Sequence, residues 1–237
     1  MIRKAKAPLP AAPHAALAAL HAEITACALC PRLVEWRERV AREKRRAYRD
    51  ETYWGRPVTG FGDPDAALVI VGLAPGAHGA DRTGRVFTGD RSGDFLYAAL
   101  HRASLASQPT SDHRGDGLAL RGAFITLAGR CAPPDNRPER AELAACAPFL
   151  SREIALLPRA RAFLALGKIA YDAVAALAGE KVPPFAPGAE HAITLRGDGK
   201  RLLASYHVSQ QNTQTGRLTP AMFDAILARA ALAAGLS

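Results

Sequence analysis

The sequence predicts an α/β fold in which helices flank a mostly parallel sheet. Four short apolar runs alternate with stretches of helix length, which is typical of parallel strands joined by helical crossovers. The first run is apolar at every position, as expected of a strand that is buried on both faces. The chain has 237 residues with no internal repeat and no break in composition. We therefore predict a single domain over residues 14–237.

The predicted strands are these four apolar runs. They lie at AALVIV (66–71), AFITLA (123–128), RAFLAL (161–166) and RLLASY (201–206). Within residues 190–206, the sequence GDGK (197–200) separates two strand-like stretches. Turn residues between two such stretches predict a hairpin that precedes or contains the last strand.

Helical periodicity marks the segments around the strands. The predicted helices span residues 14–26, 92–105, 137–157, 167–177 and 220–234. Thr219 is a candidate N-cap for the last helix, and Pro220 follows it at a position where a missing N–H is tolerated. The last helix therefore has a defined start.

The composition predicts a cytoplasmic protein without a membrane-spanning segment. Hydrophobic residues make up 49% of the chain, but no apolar run approaches the ~20 residues that cross a bilayer. The first 13 residues are basic and contain three prolines, and they lack the apolar core of a signal peptide. We expect residues 1–13 to form a flexible tail.

The charge balance is consistent with a polyanionic partner. Lys and Arg number 31 against 22 Asp and Glu, giving a net charge of +9, which suits nucleic acid. The segment AREKRRAYRDETYW (41–54) concentrates charge and ends on two aromatic residues, which predicts an exposed basic segment. An Ala- and Arg-rich composition or a solvated helix face would explain the same features without a function.

A glycine-rich loop follows the first predicted strand. Residues 72–90, GLAPGAHGADRTGRVFTGD, contain five glycines, which let a backbone approach a ligand closely and expose its amide groups. The loop has neither the P-loop lysine nor the dinucleotide glycine spacing. Ligands of open α/β sheets bind beyond the carboxyl ends of the strands. We therefore predict a ligand site here, with an ordinary surface loop as the alternative.

The four cysteines form a candidate metal site. Cys27 and Cys30 make a CxxC pair, and Cys131 and Cys146 lie more than a hundred residues later. Four thiolates are a complete ligand set for a [4Fe–4S] cluster or a structural zinc ion. Their spacing does not separate these two possibilities.

Three segments, each at the end of a predicted strand, resemble a known family. They are residues 72–90, RCAPPDNRP at 130–138 and SYHVSQQNTQTGRLT at 205–219. Each is similar to a signature of the iron–sulfur family 5 of the uracil-DNA glycosylase superfamily. The resemblance runs from about Cys27 to Thr219. It implies a central four-stranded, mostly parallel sheet, and a [4Fe–4S] cluster rather than zinc on the cysteines.

The resemblance also implies an activity. Members of this family hydrolyse the N-glycosidic bond of uracil, and variably of other deaminated bases, in DNA. The base is flipped out of the duplex and an abasic site remains. We expect a monomer that acts on DNA containing deaminated bases and has no membrane partner.

Substrate-binding residues follow from the same resemblance. Phe87 matches the phenylalanine that stacks on uracil, although packing of the loop is an alternative role. The remaining candidates belong to the first signature, where backbone amides can meet the uracil oxygens. They are Gly72, Leu73, Ala74, Gly76 and His78.

Three residues are candidate catalytic groups. His207 is a candidate donor to the departing base, and Asp90 can hold the attacking water or offset positive charge on the sugar. Asn136 is a second candidate partner for the water or the base. Related families carry a carboxylate or amide just after the first strand, and residues 74–76 offer none. The alternatives are a structural histidine at a strand end and an Asp90 that caps the next helix.

The third signature resembles the loop that enters the duplex when the base is flipped. Gln211, Asn212 and Arg217 are its candidate DNA contacts, and Arg217 would contact phosphate or fill the gap. Other arginines are weaker candidates for phosphate contacts. They are Arg82, Arg85 and Arg130.

Two positions depart from the family pattern. Val208 stands where proline commonly follows the histidine, and Asp81 stands where asparagine often precedes Arg82. Two rival functions also stay open. One is a non-catalytic nucleic-acid-binding module with a structural four-cysteine metal site, and the other is a nucleotide phosphotransferase or hydrolase, which the missing P-loop lysine disfavours.

Overall fold

The structure is a computed structural model that describes residues 11–236, with side chains described from residue 14. Residues 1–10 of the predicted tail lie outside this range. Helix α1 (Ala11–Ala26) begins within the predicted tail, three residues before the predicted start of the domain. Alanine is the best helix former, and proline is tolerated in the first turn of a helix.

Six strands form one sheet in the order β1-β3-β2-β4-β6-β5. They are β1 (Phe61–Gly62), β2 (Leu68–Gly72), β3 (Ala123–Leu127), β4 (Ala162–Leu166), β5 (Glu190–Leu195) and β6 (Asp198–Ser205). The inner four, β3-β2-β4-β6, pair in parallel. The outer two pair antiparallel. The predicted parallel strands and the predicted hairpin are confirmed. Strand β1 was not predicted.

Helices cover both faces of this sheet. The other helices are α2 (Pro31–Glu43), α3 (Ala80–Thr83), α4 (Arg91–Arg102), α5 (Arg140–Ala155), α6 (Lys168–Ala175), α7 (Gln210–Gln214) and α8 (Pro220–Ala234). Short 3-10 turns lie at Arg46–Tyr48 and Pro134–Asn136. Thr219 caps α8 by accepting a hydrogen bond from the Met222 amide, and Gly235 ends it in the left-handed conformation.

Alternate residues of the inner strands build two separate cores. Leu68 and Ile70 of β2 belong to the core under α4 and α8. Val69 and Val71 belong to the core under α5 and α6. Because successive side chains of a strand point to opposite faces, a strand that is apolar throughout stabilises both layers. Each fully buried residue of this kind contributes about 1.5–3 kcal/mol.

A buried polar network joins α1 and α5 to the sheet. Glu153 is fully buried and accepts hydrogen bonds from Arg130 Nη2 at 2.8 Å, His21 Nε2 at 2.8 Å and the Thr126 hydroxyl. Burial raises the pKa of Glu153, but Arg130, His21 and Thr126 outweigh it and hold the pKa at about 2. Arg130 is 1% exposed. It serves this internal ion pair, so the prediction of a phosphate contact there is wrong.

The helices show no single membrane span. Between residues 11 and 236, no one helix is both long and apolar enough to cross a bilayer. A sharply bent pair, His14–Ala26 with Pro31–Glu43, meets the length and composition criteria only when its two helices are taken together.

Candidate active site

The three signature segments meet at the carboxyl ends of the parallel strands. They enclose a cavity of about 580 Å³. The first segment contributes Leu73, Ala74, Pro75, Gly76, Ala80, Phe87 and Asp90; the second contributes Pro133, Asp135, Asn136 and Arg137; and the third contributes His207, Ser209, Gln210 and Gln211. This is where ligands bind in open α/β sheets, and the volume suits a small organic ligand.

Phe87 lies against Gly72 at the end of β2 and lines the pocket. Its ring centroid is 6.2 Å from that of His207. A side chain on Gly72 would lie 2.7 Å from the ring, so only glycine leaves it room at this strand end. Phe87 has a φ of +50°, which is uncommon for a bulky residue. A backbone outlier fixed at a pocket points to a positioned side chain.

The backbone after β2 presents free donors to the same cavity. The amides of Leu73, Ala74 and Gly76 donate to no other residue among those described, although all three residues line the pocket. Carbonyl oxygens of this loop are engaged, since Leu73 O accepts from Gly129 N at 2.8 Å and Gly76 O accepts from Asp81 N at 3.0 Å. The loop is therefore held in place while its N–H groups stay available to a ligand oxygen.

Asp90 performs the capping role and also lines the pocket. Its Oδ1 accepts hydrogen bonds from Ser92 N and Gly93 N, each at 3.0 Å, and so caps α4. No described residue donates to Oδ2, which lies against Gly76 and Gly79. A side chain at Gly79 would come within 1.9 Å of Oδ2. Burial raises the pKa of Asp90, and the two capping amides partly offset that rise.

His207 follows the end of β6 and lines the pocket beside Phe87. Desolvation lowers its pKa to about 4, so the imidazole is neutral at physiological pH. Asn212 Nδ2 donates to the His207 carbonyl at 2.8 Å and braces the turn. Val208, which replaces the common proline, is fully buried in the core. It anchors the turn by packing.

Asn136 reaches the pocket from an exposed turn. Asp135 and Asn136 both have positive φ, at 54° and 55°, which short polar side chains tolerate better than most. Neither side chain has a hydrogen-bond partner within the described chain, and both line the cavity. The amide is free to meet a ligand.

His78 lies outside the cavity lining. Its Nδ1 is 3.0 Å from the Tyr53 hydroxyl, and desolvation followed by Arg45 and Arg82 lowers its pKa. Its visible role is to hold the glycine-rich loop against the segment after α2. The sequence alone gives no signal for this contact, because Tyr53 is remote along the chain.

Arg82 and Arg85 are held inside the protein. Arg82 is 8% exposed and donates to Glu51, to His78 O at 2.8 Å and to Gly89 O at 2.8 Å. Arg85 is 5% exposed and pairs with Asp116 at 2.6 Å. Both guanidinium groups shape the loop, and we do not retain them as phosphate contacts.

The predicted DNA-contacting loop is exposed at two of its three positions. Gln211 lines the mouth of the pocket, and Arg217 is exposed with its guanidinium 4.8 Å from the Tyr206 ring centroid. Asn212 is committed to the His207 carbonyl. Sequence reasoning missed Arg91 and Arg137, which also line the cavity. Both could have been predicted from their position in the sequence, because each directly follows a predicted catalytic residue.

The four cysteines are neighbours in space although two pairs are far apart in sequence. Burial raises the pKa of Cys30 and of Cys131, and each is raised further by Cys146 and Cys27. Arg37 Nη1 donates to Cys131 Sγ at 2.9 Å. Among residues 11–236, no group of three or more His, Cys, Asp or Glu has the spacing of a metal-ion site. Four neighbouring thiols match the ligand set of a [4Fe–4S] cluster or of a structural zinc ion.

Comparison with known proteins agrees with this architecture. The family model of the uracil DNA glycosylase superfamily matches residues 59–231. A type-5 uracil-DNA glycosylase of Thermus thermophilus is 55% identical over 215 residues, covering 90% of this chain and 96% of that protein. Type-5 proteins of Mycobacterium leprae and Pyrobaculum aerophilum are 52% and 44% identical, covering 92% and 88% of this chain and 95% and 89% of their own. The chain therefore belongs to the uracil-DNA glycosylase superfamily.

Proposed function

We propose that this protein is a DNA repair glycosylase that hydrolyses the N-glycosidic bond of uracil in DNA and leaves an abasic site. The observation that carries the proposal is the single cavity in which Phe87, Asp90, Asn136 and His207 meet free backbone amides. It combines an aromatic face, hydrogen-bond donors and a carboxylate. These are the groups that base excision requires.

Recognition of the base falls to the first loop. Phe87 provides a flat apolar surface for the pyrimidine ring. The amides of Leu73, Ala74 and Gly76 are available to the uracil oxygens. As the base leaves, negative charge grows on those oxygens, and a donor aimed at them contributes on the order of 3 kcal/mol.

His207 and Asp90 divide the remaining work. The low pKa of His207 keeps its imidazole neutral, so it donates a hydrogen bond to the departing uracil without first being protonated. Asp90 Oδ2 holds the water or stabilises the positive charge of the sugar. Asn136 is the second partner for the water or the base.

The proposal includes a [4Fe–4S] cluster on Cys27, Cys30, Cys131 and Cys146. A bound cluster would tie the CxxC turn before α2 to the second signature loop and to α5. Its role would be structural, because it braces the pocket wall that carries Asn136. We further propose that the protein is a cytoplasmic monomer.

The test is release of uracil from a duplex that contains one U·G pair. We expect free uracil and an alkali-labile strand break at that position, with no release from a matched T·G duplex. Binding that is salt-dependent but releases no base would instead support the non-catalytic nucleic-acid-binding module.

A further inference from the structure

A second groove lies outside the pocket and has no part in the proposed chemistry. It consists of two adjoining cavities of about 540 Å³ and 490 Å³, which share Thr25, Ala26, Trp54 and Arg56. Helices α1 and α2 form one wall. Gly84 and Arg114 complete the other. We call it the Trp54 groove.

Two arginines contact the indole of Trp54. The guanidinium carbon of Arg114 is 4.5 Å from the ring centroid and that of Arg56 is 5.7 Å from it. The indole N–H donates to Pro57 O at 3.1 Å. A side chain at Gly84 would lie 2.9 Å from the ring. The indole is therefore fixed, and it orients both guanidinium groups at the groove.

The arginines that line the groove have no acidic partners in ion pairs among the described residues. Arg42, Arg56 and Arg114 are exposed, and none has a hydrogen-bond or ion-pair partner among the described residues. Some exposed arginines are paired instead, as Arg102 is with Asp224 and Arg152 is with Glu23. Glu38 is the one acidic residue lining either cavity within residues 11–236. The net charge of the lining therefore favours an anion.

The groove and the pocket share helix α3. Ala80 lines the pocket, whereas Gly84, directly after the helix, lines the groove. Four helical residues rise only about 6 Å. Trp54 N donates to Arg82 O at 2.8 Å, and Gly55 N donates to Asp81 O at 3.0 Å. A polyanion that enters the pocket at one point would thus have the groove close beside it.

We propose that the Trp54 groove binds the phosphodiester backbone of DNA that flanks the extruded nucleotide. This inference rests on the proposed function. Guanidinium groups match phosphate oxygens in a bidentate geometry, and stacking on a fixed indole reduces the flexibility that binding must overcome. The groove adds a contact that depends on backbone charge and is independent of base identity.

The test is the salt dependence of binding to a duplex without uracil. The variant Arg56→Gln/Arg114→Gln removes both charges, and Arg121→Gln/Arg161→Gln is its matched control. Arg121 and Arg161 are exposed, have no side-chain partner in the described chain, and lie at the amino ends of β3 and β4. Loss of two phosphate contacts lowers the slope of log affinity against log salt by about 1.8.

We expect the groove variant to bind roughly tenfold more weakly at low salt with that smaller slope, and the control to bind like the wild type. Single-turnover uracil release at saturating DNA should be unchanged. An unaltered slope in the groove variant would overturn the inference and point to another partner, as would an equal change in the control. Because the duplex contains no uracil, the result is independent of whether the protein excises bases.

Discussion

At the residue scale, Asp90 both caps a helix and lines the pocket. Oδ1 accepts the two capping hydrogen bonds of α4, whereas no described residue donates to Oδ2, so the cap leaves one carboxylate oxygen for the proposed catalytic role. Position 90 was predictable because the family signature ends there. The contact of Oδ2 with Gly76 and Gly79 could not be predicted, because a contact between a side chain and a glycine backbone leaves no periodic pattern in the sequence.

The variant Asp90→Asn separates the two roles. Asparagine caps helices as well as aspartate, so we expect a change in the free energy of unfolding below about 0.5 kcal/mol. The rate of uracil release should fall ~10²-fold or more because the charge is lost. Thermal melts and single-turnover kinetics measure the two effects. A large loss of stability with an unchanged rate would assign Asp90 to the cap alone.

The pH profile tests the charge of Asp90 further. Its raised pKa predicts that activity falls with decreasing pH at values above the ordinary range for aspartate, since only the ionised form acts. Because the pKa of His207 is about 4, its imidazole stays neutral above that pH. We therefore expect no separate transition in activity near neutral pH. The acidic limb should be absent from the residual activity of Asp90→Asn. A limb near neutral pH that disappears in His207→Asn would contradict this assignment.

Asp81 provides a stability test. Burial raises its pKa to about 7, with partial relief from Arg37, and neither carboxylate oxygen has a hydrogen-bond partner among the described residues. A carboxyl group whose pKa is higher in the folded state binds its proton more tightly there than in the unfolded state. The free energy of unfolding therefore falls as the pH rises from about 4 to 7. Asp81→Asn should add roughly 2–4 kcal/mol to the free energy of unfolding near pH 8 and little near pH 4. A gain that is equal at both pH values would contradict the account.

At the scale of elements, the central strands were predictable and several helices were not. Residues 68–71 are fully buried and apolar, so their pattern could be interpreted without knowledge of neighbours. Helix α2 escaped prediction because its buried face includes Arg37 between Leu33 and Val40, and a charged residue hides the apolar periodicity. Strand β1 has two residues, too few for any pattern.

The contact between α5 and the sheet depends on a buried charge pair. Glu153→Gln would leave Arg130 without its counter-ion in a fully buried site. Removing one partner of a buried ion pair typically costs about 3–5 kcal/mol, and we expect the free energy of unfolding to fall by about this amount. Chemical denaturation measures the loss, with Glu23→Gln as the control because its ion pair with Arg152 is exposed. Equal losses in both variants would contradict the network's structural role.

At the scale of the whole molecule, three segments that are distant in the chain meet at one edge of the sheet. The order of the signatures along alternating strands was enough to place three loops together, since carboxyl ends of parallel strands share an edge. The internal partners of Arg82, Arg85 and Arg130 were beyond sequence reasoning. Whether an arginine faces solvent or a buried acid depends on residues remote in the chain, such as Asp116 and Glu153.

The proposed cysteine site would also connect distant parts of the chain, because it would join the start of α2 to the second signature loop and α5. Anaerobically purified protein should show the broad visible absorbance of an iron–sulfur cluster, and Cys131→Ser should reduce both the absorbance and the melting temperature. Iron and zinc analysis of the same samples distinguishes the metals. Colourless protein with one bound zinc per chain would contradict the cluster and retain the four-cysteine site.

The most direct test of one shared pocket is single-turnover uracil release by variants from each of the three loops. Phe87→Ala, Asn136→Ala and His207→Ala each alter one loop, and Arg121→Gln at the opposite end of the sheet is the control. We predict that all three lower the rate of the excision step, by ~10²-fold for His207→Ala, while the control matches the wild type. Wild-type rates in the variant of any one loop would show that this loop has no part in the reaction.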